Sequence, residues 1–334
     1  MRAMVLAAGF GLRLRPLTIE RAKPACPVVN RPLIHFPLSR LAAAGVREVV
    51  VNTHHLPDTV RAALDQFDDT DLRLTVLHEP VILGTGGGLK NARRYLESDD
   101  LIILQNGDTI CEADLAEAVR AHRNGSALAT LVLLDDPRIE RYGAVEVAAD
   151  GAVVDIANLR RQRAARRGIF VGTHVLSPEV FAHLPAREAF CIIRDAYLPL
   201  LSARPGAVRA HFANGRFFDL GTPSDYLAAN WSLLESPGPL SFWRNGLSKV
   251  APGVWCGKDI NLASDAILRA PLLLGNRARV EPGAVLGPRV IVGNNATVAA
   301  NAELRCCVVW DGARVAGRES DSILTTRNET VANK

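Results

Sequence analysis

The residues able to do chemistry lie in a few short stretches. Leu6-Ala7-Ala8-Gly9-Phe10-Gly11-Leu12-Arg13 passes from an apolar run into a loop with two glycines. Such a loop lets backbone N–H groups close on phosphate oxygens. Arg13 can neutralise a polyphosphate as its charge shifts. Lys23-Pro24-Ala25-Cys26-Pro27-Val28 sets a lysine beside two prolines that stiffen the chain. Asp108 closes Asn106-Gly107-Asp108, and Asp219 lies in Phe218-Asp219-Leu220-Gly221-Thr222-Pro223. Two carboxylates at the ends of separate strands can hold one hard cation through oxygen, with water completing the shell. Each stretch also has a plain reading: a tight turn for the glycines, a helix N-cap for Asp108, a turn for Asp219. There is no Gly-Lys-Ser/Thr and no third glycine at dinucleotide spacing, so neither of those fingerprints applies. His54, His55, His78 and His174 have no ligand spacing, and no Ser-His-Asp or Cys-His arrangement suggests itself.

These stretches need a frame. Over residues 1–135, short apolar runs alternate with helical patterns: Met4–Ala8, Glu48–Asn52, Leu72–His78, Leu101–Gln105 and Leu128–Leu134 read as strands. Strands alternating with helices predict an α/β domain with a doubly wound, mostly parallel sheet. Ligands of such sheets bind at the carboxyl ends of the strands, where both glycine-rich loops and Asp108 fall. Gly86–Leu96 reads as a loop that becomes a helix. Gly143–Val147, Val153–Ile156 and Gly168–Val175 read as an insertion walling a substrate pocket.

Ser236-Pro237-Gly238-Pro239 marks a linker, and the pattern then changes. Leu268, Leu274, Val280, Leu286, Val292, Val298 and Leu304 recur every six residues, with a small or aliphatic residue two places before each. That period predicts a short β-helix. The expected domains are therefore residues 1–235 and residues 240–334.

Composition sets the outer bounds. The chain has 334 residues, 48% hydrophobic and 22% charged, with a net charge of +4; at ~150 residues per domain that is about two globular domains. So small an excess of positive charge does not argue for a nucleic-acid partner. Five lysines stand against a large excess of arginine, and only Lys23 and Lys90 precede residue 240. A lysine kept in such a chain offers a compact point charge where arginine would offer a fork. Six cysteines without a Cys-x-x-Cys pair predict free thiols and a cytoplasmic chain. The apolar start is broken after six residues by Gly9, Gly11, Arg13 and Arg15, which argues for a strand over a signal peptide; no run is long enough to span a membrane.

Read together, Gly9-Phe10-Gly11-Leu12-Arg13-Leu14-Arg15-Pro16-Leu17-Thr18, Lys23-Pro24, Arg31-Pro32-Leu33-Ile34, Gly84-Thr85-Gly86-Gly87-Gly88, Asn106-Gly107-Asp108, Tyr142-Gly143 and the Asp219 motif resemble the sugar-1-phosphate nucleotidyltransferases. The resemblance spans about residues 1–230, and an appended left-handed hexapeptide β-helix also occurs in that family. It implies an α/β nucleotidyltransferase fold and a reaction of nucleoside triphosphate with sugar 1-phosphate, giving nucleotide-sugar and pyrophosphate. It implies Arg13, Lys23 and Asp108 as catalytic, and Mg²⁺ on Asp108 and Asp219. Ala7, Ala8, Gly9, Gly11, Arg13, Glu79, Gly84 and Thr85 would bind nucleotide. Gly143, Asn158, Arg160 and Thr173 would bind the sugar phosphate.

Two departures stand out. Leu12 replaces the family's usual threonine. The stretch after Ile156 reads Ala157-Asn158-Leu159-Arg160-Arg161-Gln162-Arg163 and lacks the Glu-Lys-Pro whose lysine grips the sugar phosphate. Arg160, Arg161, Arg163, Arg166 and Arg167 either replace it or form a solvated loop. GTP with a mannose-type sugar is the leading expectation. The alternatives are uridylyl or thymidylyl transfer, and a non-catalytic nucleotide-sugar-binding module. Acyl transfer by the β-helix is disfavoured because residues 240–334 contain no histidine. A homo-oligomer assembled through the β-helix is expected, with no nucleic-acid or membrane partner.

Overall fold

The computed structural model describes residues 1–68, 71–327 and 330–332, so the last stretches of the expected tail domain, 328–329 and 333–334, lie outside the described residues. The chain forms two compact units: Met1–Phe10 with Ile34–Phe217, and Gly11–Leu33 with Phe218–Lys334.

The first unit is α/β, as the alternation of patterns predicts. Its strands are β1 (Arg2–Leu6), β2 (Glu48–Thr53), β3 (Arg73–His78), β4 (Ile102–Asn106), β5 (Ala129–Leu134), β6 (Ala144–Val147), β7 (Val153–Ile156), β8 (Arg166–Leu176) and β9 (Val208–Ala213). They make one nine-stranded sheet in the order β7-β6-β8-β4-β1-β2-β3, with β5 pairing both β8 and β9. The core is parallel: Met4 faces Val50 and Leu104 on its two neighbours, and β2 continues the parallel run into β3. After Arg2, β1 reads Ala-Met-Val-Leu, a continuous apolar run without alternation whose Ala3, Met4 and Val5 are buried. β8 then runs antiparallel to β4 and β6. The segments read as an insertion are strands of the main sheet. β8, at 11 residues, is long enough to pair with β4, β5 and β6 at once.

Helices cover the sheet. α1 (His35–Ala43) buries Phe36, Leu38, Arg40 and Leu41. α2 (Pro57–Leu64) starts on a proline, which suits a first turn lacking a needed N–H. α3 (Gly84–Asn91) contains the three consecutive glycines. The helix therefore begins at Gly84, ahead of the loop-then-helix pattern read from the sequence. Glycine is a poor helix former, but packing demands it here. A Cβ on Gly86 would lie 2.2 Å from the Phe190 ring, and one on Gly87 would lie 2.2 Å from the Glu188 carbonyl. No helix among the described residues is long and apolar enough to cross a membrane.

In the second unit, α4 (Pro223–Glu235) is capped by Thr222, whose hydroxyl accepts from Asp225 N at 3.2 Å. Beyond it the short strands stack as a β-helix. Leu272 lies over Val290 and Leu273 over Ile291; Val280 lies over Val298, and Leu286 over Leu304. Each pair is separated by three of the six-residue steps read from the sequence. Leu274, Val280, Leu286, Val292, Val298 and Leu304 are buried together, with Leu268 half-buried at the end. One feature escaped the sequence pattern. Asn294 Oδ1 accepts from Asn276 N, and Asn276 Oδ1 from Lys258 N, both at 2.8 Å. Side chains thus satisfy corner N–H groups from one coil to the next. The glycine column beside them leaves the room: a Cβ on Gly275 would lie 2.7 Å from Asn294 N.

Candidate active site

In the first unit the carboxyl ends of the parallel strands meet as expected. Gly107 N, just past β4, donates to Leu6 O at the end of β1 (2.9 Å). A Cβ on Gly107 would come within 2.8 Å of Val5 and 2.9 Å of Leu6 O, so this approach requires glycine. Asn52, near the end of β2, binds both ways: its Oδ1 accepts from Ala7 N at 2.9 Å and its Nδ2 donates to Glu79 Oε1 at 2.8 Å. Glu79 Oε2 accepts from Leu83 N at 3.1 Å. Both Glu79 oxygens are thus held by protein groups, and the carboxylate fixes the start of α3 and, through Asn52, the turn after β1. Ala7 and Ala8 are buried. Gly9 differs, since a Cβ there would meet nothing within 4 Å. Gly84 has φ +72° and packs on the Phe190 carbonyl, where a Cβ would lie at 2.7 Å. The Thr85 hydroxyl accepts from Ile192 N at 3.0 Å.

Between α1, β4 and β8 lies a network that sequence reasoning missed. Arg40 is buried; it donates to Ala113 O (2.8 Å), Gln105 Oε1 (2.8 Å) and Thr173 Oγ1 (2.9 Å). The Thr173 hydroxyl donates in turn to Gln105 Oε1 at 2.8 Å. Thr173, expected to line a sugar pocket, is 0% exposed and its hydroxyl is engaged on both sides. Burial pulls the Arg40 pKa below its ordinary value, only partly offset by Cys111 and Asp114. A lone arginine on an amphipathic helix looks like a surface residue in sequence, and no spacing rule would have paired it with β4 and β8.

The arginine-rich stretch is a loop through Arg163, and Arg166 and Arg167 open β8. Buried Asp155 organises it, accepting from Ile156 N (2.7 Å), Arg160 N (3.0 Å) and Gln162 N (2.9 Å). Arg160 donates to Val154 O and Ser202 Oγ. Arg163 pairs with Glu146 at 2.8 Å and Arg167 with Glu140 at 2.9 Å. Arg166 stacks 3.5 Å over the Phe212 ring. Arg161, at φ +57°, is exposed, and its guanidinium has no partner among the described residues. Gly143 (φ +81°) closes against Ala157, where a Cβ would lie at 3.1 Å, and Asn158 takes φ +59°.

The second unit holds the other half of the motif set. Gly11, at φ +60°, opens a 3-10 turn over Leu12–Leu14. Its carbonyl accepts from Thr18 Oγ1 at 2.9 Å. Arg13 Nη2 reaches Asp219 Oδ2 at 3.2 Å, and the side chain stays 68% exposed. Lys23 is buried; its ammonium donates to Asp219 O at 2.6 Å and stands 3.6 Å from Oδ1. Two cations from one segment therefore converge on one aspartate. Gly221 makes the space, since a Cβ there would lie 2.7 Å from Asp219 Oδ2 and 2.8 Å from Arg13 Nη1. The motif supplied this glycine without its reason.

Known proteins resemble the chain along most of its length. A mannose-1-phosphate guanylyltransferase of Mycobacterium tuberculosis is 29% identical over 315 residues, covering 94% of this chain and 80% of that protein. A UTP–glucose-1-phosphate uridylyltransferase of Synechocystis is 27% identical, covering 94% and 84%. The crystal structure of HddC from Yersinia pseudotuberculosis shares the fold, with a TM-score of 0.57 at 24% identity over 69% of this chain and 97% of that one. The family model for nucleotidyl transferases matches residues 2–236, a span that takes in the strand before Gly9 as well as Asp219, and the chain belongs to that family.

Proposed function

We propose that the protein transfers a nucleotidyl group from a nucleoside triphosphate to a sugar 1-phosphate, releasing pyrophosphate. GTP and a mannose-type sugar are the substrates we favour, since mannose-1-phosphate guanylyltransferases of Mycobacterium tuberculosis and rice resemble 94% of the chain at 29% identity. The observation that carries the reading is the convergence of Arg13 and Lys23 on Asp219 beside a glycine-rich turn.

In this reading a sugar-phosphate oxygen attacks the α-phosphorus in line, and the bond to the β-phosphate oxygen breaks as pyrophosphate leaves. No covalent nucleophile is needed, because positioning and charge neutralisation supply the rate. Arg13, exposed and tethered, swings from Asp219 to the phosphates. Lys23, short of conformational freedom, holds its charge in place. The N–H groups around Gly9 and Gly11 take phosphate oxygens, with Ala7 and Ala8 shaping the turn. Gly84 and Thr85 flank the base, and Glu79 positions them. For the sugar phosphate we assign Gly143 and Asn158 to the sugar, Arg160 to ordering the loop, Arg161 to the phosphate, and Thr173 to the support beneath.

Asp108 and Asp219 are the residues that would hold Mg²⁺. Carboxylate oxygens suit a hard cation. Among the described residues no three His, Cys, Asp or Glu side chains form a cage, so phosphate oxygens and water would fill the remaining positions. When bound, the ion would neutralise charge developing on the transferred phosphate. We also infer a cytoplasmic protein and a left-handed hexapeptide β-helix that joins subunits; exposed Leu262 and Ile267 on the tail support the latter. Asp219→Asn and Asp108→Asn should each abolish Mg²⁺-dependent pyrophosphate release with the melting temperature kept. Full activity in either variant would overturn the assignment.

A further inference from the structure

We propose that the β-helix is a working part of the nucleotide site, its last coils holding, through Trp310, the segment that carries Lys23. The proposal rests on the function given above, although the contacts stand without it. Trp310 follows the strand whose Val309 lies over Val292, and it is fully buried. Its ring lies under the Arg21 guanidinium, 5.1 Å from ring centroid to Cζ. Its Nε1 donates at 3.1 Å to the Tyr226 hydroxyl, which donates to Pro27 O. Asp311, the next residue, stands 3.9 Å from Arg21. One coil away, Val292 O accepts from Asn30 Nδ2 at 2.8 Å. From α4, Asn230 Oδ1 accepts from Val29 N at 2.8 Å.

Lys23 lies between the points so fixed. Arg21 is two residues before it and Pro27 four after, so both ends of the turn Lys23–Ala25 are pinned to the coils or to α4. Tail residues serving only to stack coils would spend their hydrogen bonds on the tail. Here a coil carbonyl is spent on Asn30, and an indole N–H on the Tyr226 hydroxyl that in turn holds Pro27. Misplacement by about 1 Å far from the chemistry can slow turnover by about a hundredfold. Trp310 is therefore a positioning residue, acting through Arg21 and Tyr226.

Two variants of the full chain test this. Asn30→Gly keeps the left-handed backbone that Asn30 adopts (φ +62°) and deletes only the amide. Trp310→Phe keeps an aromatic face for Arg21 and deletes the indole N–H. Three properties are measured: pyrophosphate release resolved into kcat and KM, tail melting temperature with oligomeric size, and hydrogen exchange over residues 17–33. We expect exchange over 17–33 to rise in both variants. We expect kcat to fall about tenfold or more, with KM for the triphosphate nearly unchanged and melting temperature and size kept. Unchanged exchange over 17–33 in both variants overturns the coupling, whatever the activity. Raised exchange with kcat within twofold of the parent reduces the tail to a scaffold and also overturns it. If the parent releases no pyrophosphate with any substrate pair, the functional reading fails, and exchange alone then decides whether the coils hold the segment.

Discussion

Replacing Gly221 by alanine separates the chemistry of the site from its stability. The added Cβ would stand 2.7 Å from Asp219 Oδ2, 2.8 Å from Arg13 Nη1 and 3.0 Å from Arg13 Cζ. These atoms are ends of side chains, so they can move aside. Gly221 is not among the residues with a left-handed backbone, so alanine brings no backbone strain. The gain from a less flexible unfolded chain is about 0.4–1 kcal/mol, and the melting temperature should hold or rise slightly. Arg13, however, is displaced from Asp219, the tether that on the proposed function aims it at the phosphates. Losing one charge-assisted contact to a phosphate costs about 1.5–3 kcal/mol, or about tenfold to 150-fold in kcat/KM. The assay is steady-state pyrophosphate release by Gly221→Ala, by Arg13→Ala and by the double variant. If the alanine acts by displacing Arg13, the double variant should be little worse than Arg13→Ala, because the two changes remove one interaction. Wild-type kcat/KM in Gly221→Ala, or fully additive losses, would refute the reasoning.

The loop after β7 makes a second prediction: Arg161→Ala should raise KM for the sugar 1-phosphate about tenfold or more and leave KM for the triphosphate unchanged, whereas Arg160→Ala, which loses contacts to Val154 O and Ser202, should mainly lower the melting temperature. Equal kinetic effects on both substrates would contradict it. Val292→Asp puts an unpaired carboxylate into the fully buried coil ladder, a cost of several kcal/mol, and calorimetry should show the tail unfolded or strongly destabilised. The His174 imidazole, buried against the Tyr197 hydroxyl at 2.8 Å, is held down to about 3 by loss of solvent. Unfolded, the ring takes up a proton near its ordinary value of 6.5, so its contribution is complete above that pH and is lost as pH falls toward 3. The slope is at most about 1.4 kcal/mol per pH unit. His174→Asn, which keeps an acceptor for the Tyr197 hydroxyl, should flatten urea-denaturation stability across that window; an unchanged slope would contradict it.

Much of this was legible in the sequence because it rests on local or periodic signals. The parallel core follows from continuous apolar runs such as β1, and the coils follow from the six-residue period of Leu274, Val280 and Leu286. Short-range motifs single out Gly11, Arg13, Lys23 and Asp219, and Arg13 and Lys23 do meet Asp219. What stayed hidden depends on residues far apart in the chain. Arg40 meets Gln105 and Thr173 only once α1 lies across β4 and β8. Trp310 reaches Arg21 only when the coils have stacked. Asn52 looked like the ordinary end of a strand, yet it joins Ala7 N to Glu79. The glycines of α3 looked like a loop because their reason is a neighbour, Phe190, that no local rule connects to them.

The most direct test of the account is pyrophosphate release by the unmodified full chain with Mg²⁺, taking ATP, CTP, GTP, UTP and dTTP in turn against a panel of sugar 1-phosphates. Release should need both substrates and be fastest with GTP and a mannose-type sugar 1-phosphate. Release with another pair would correct the substrate and keep the reaction. No release above background with any pair would contradict the central claim.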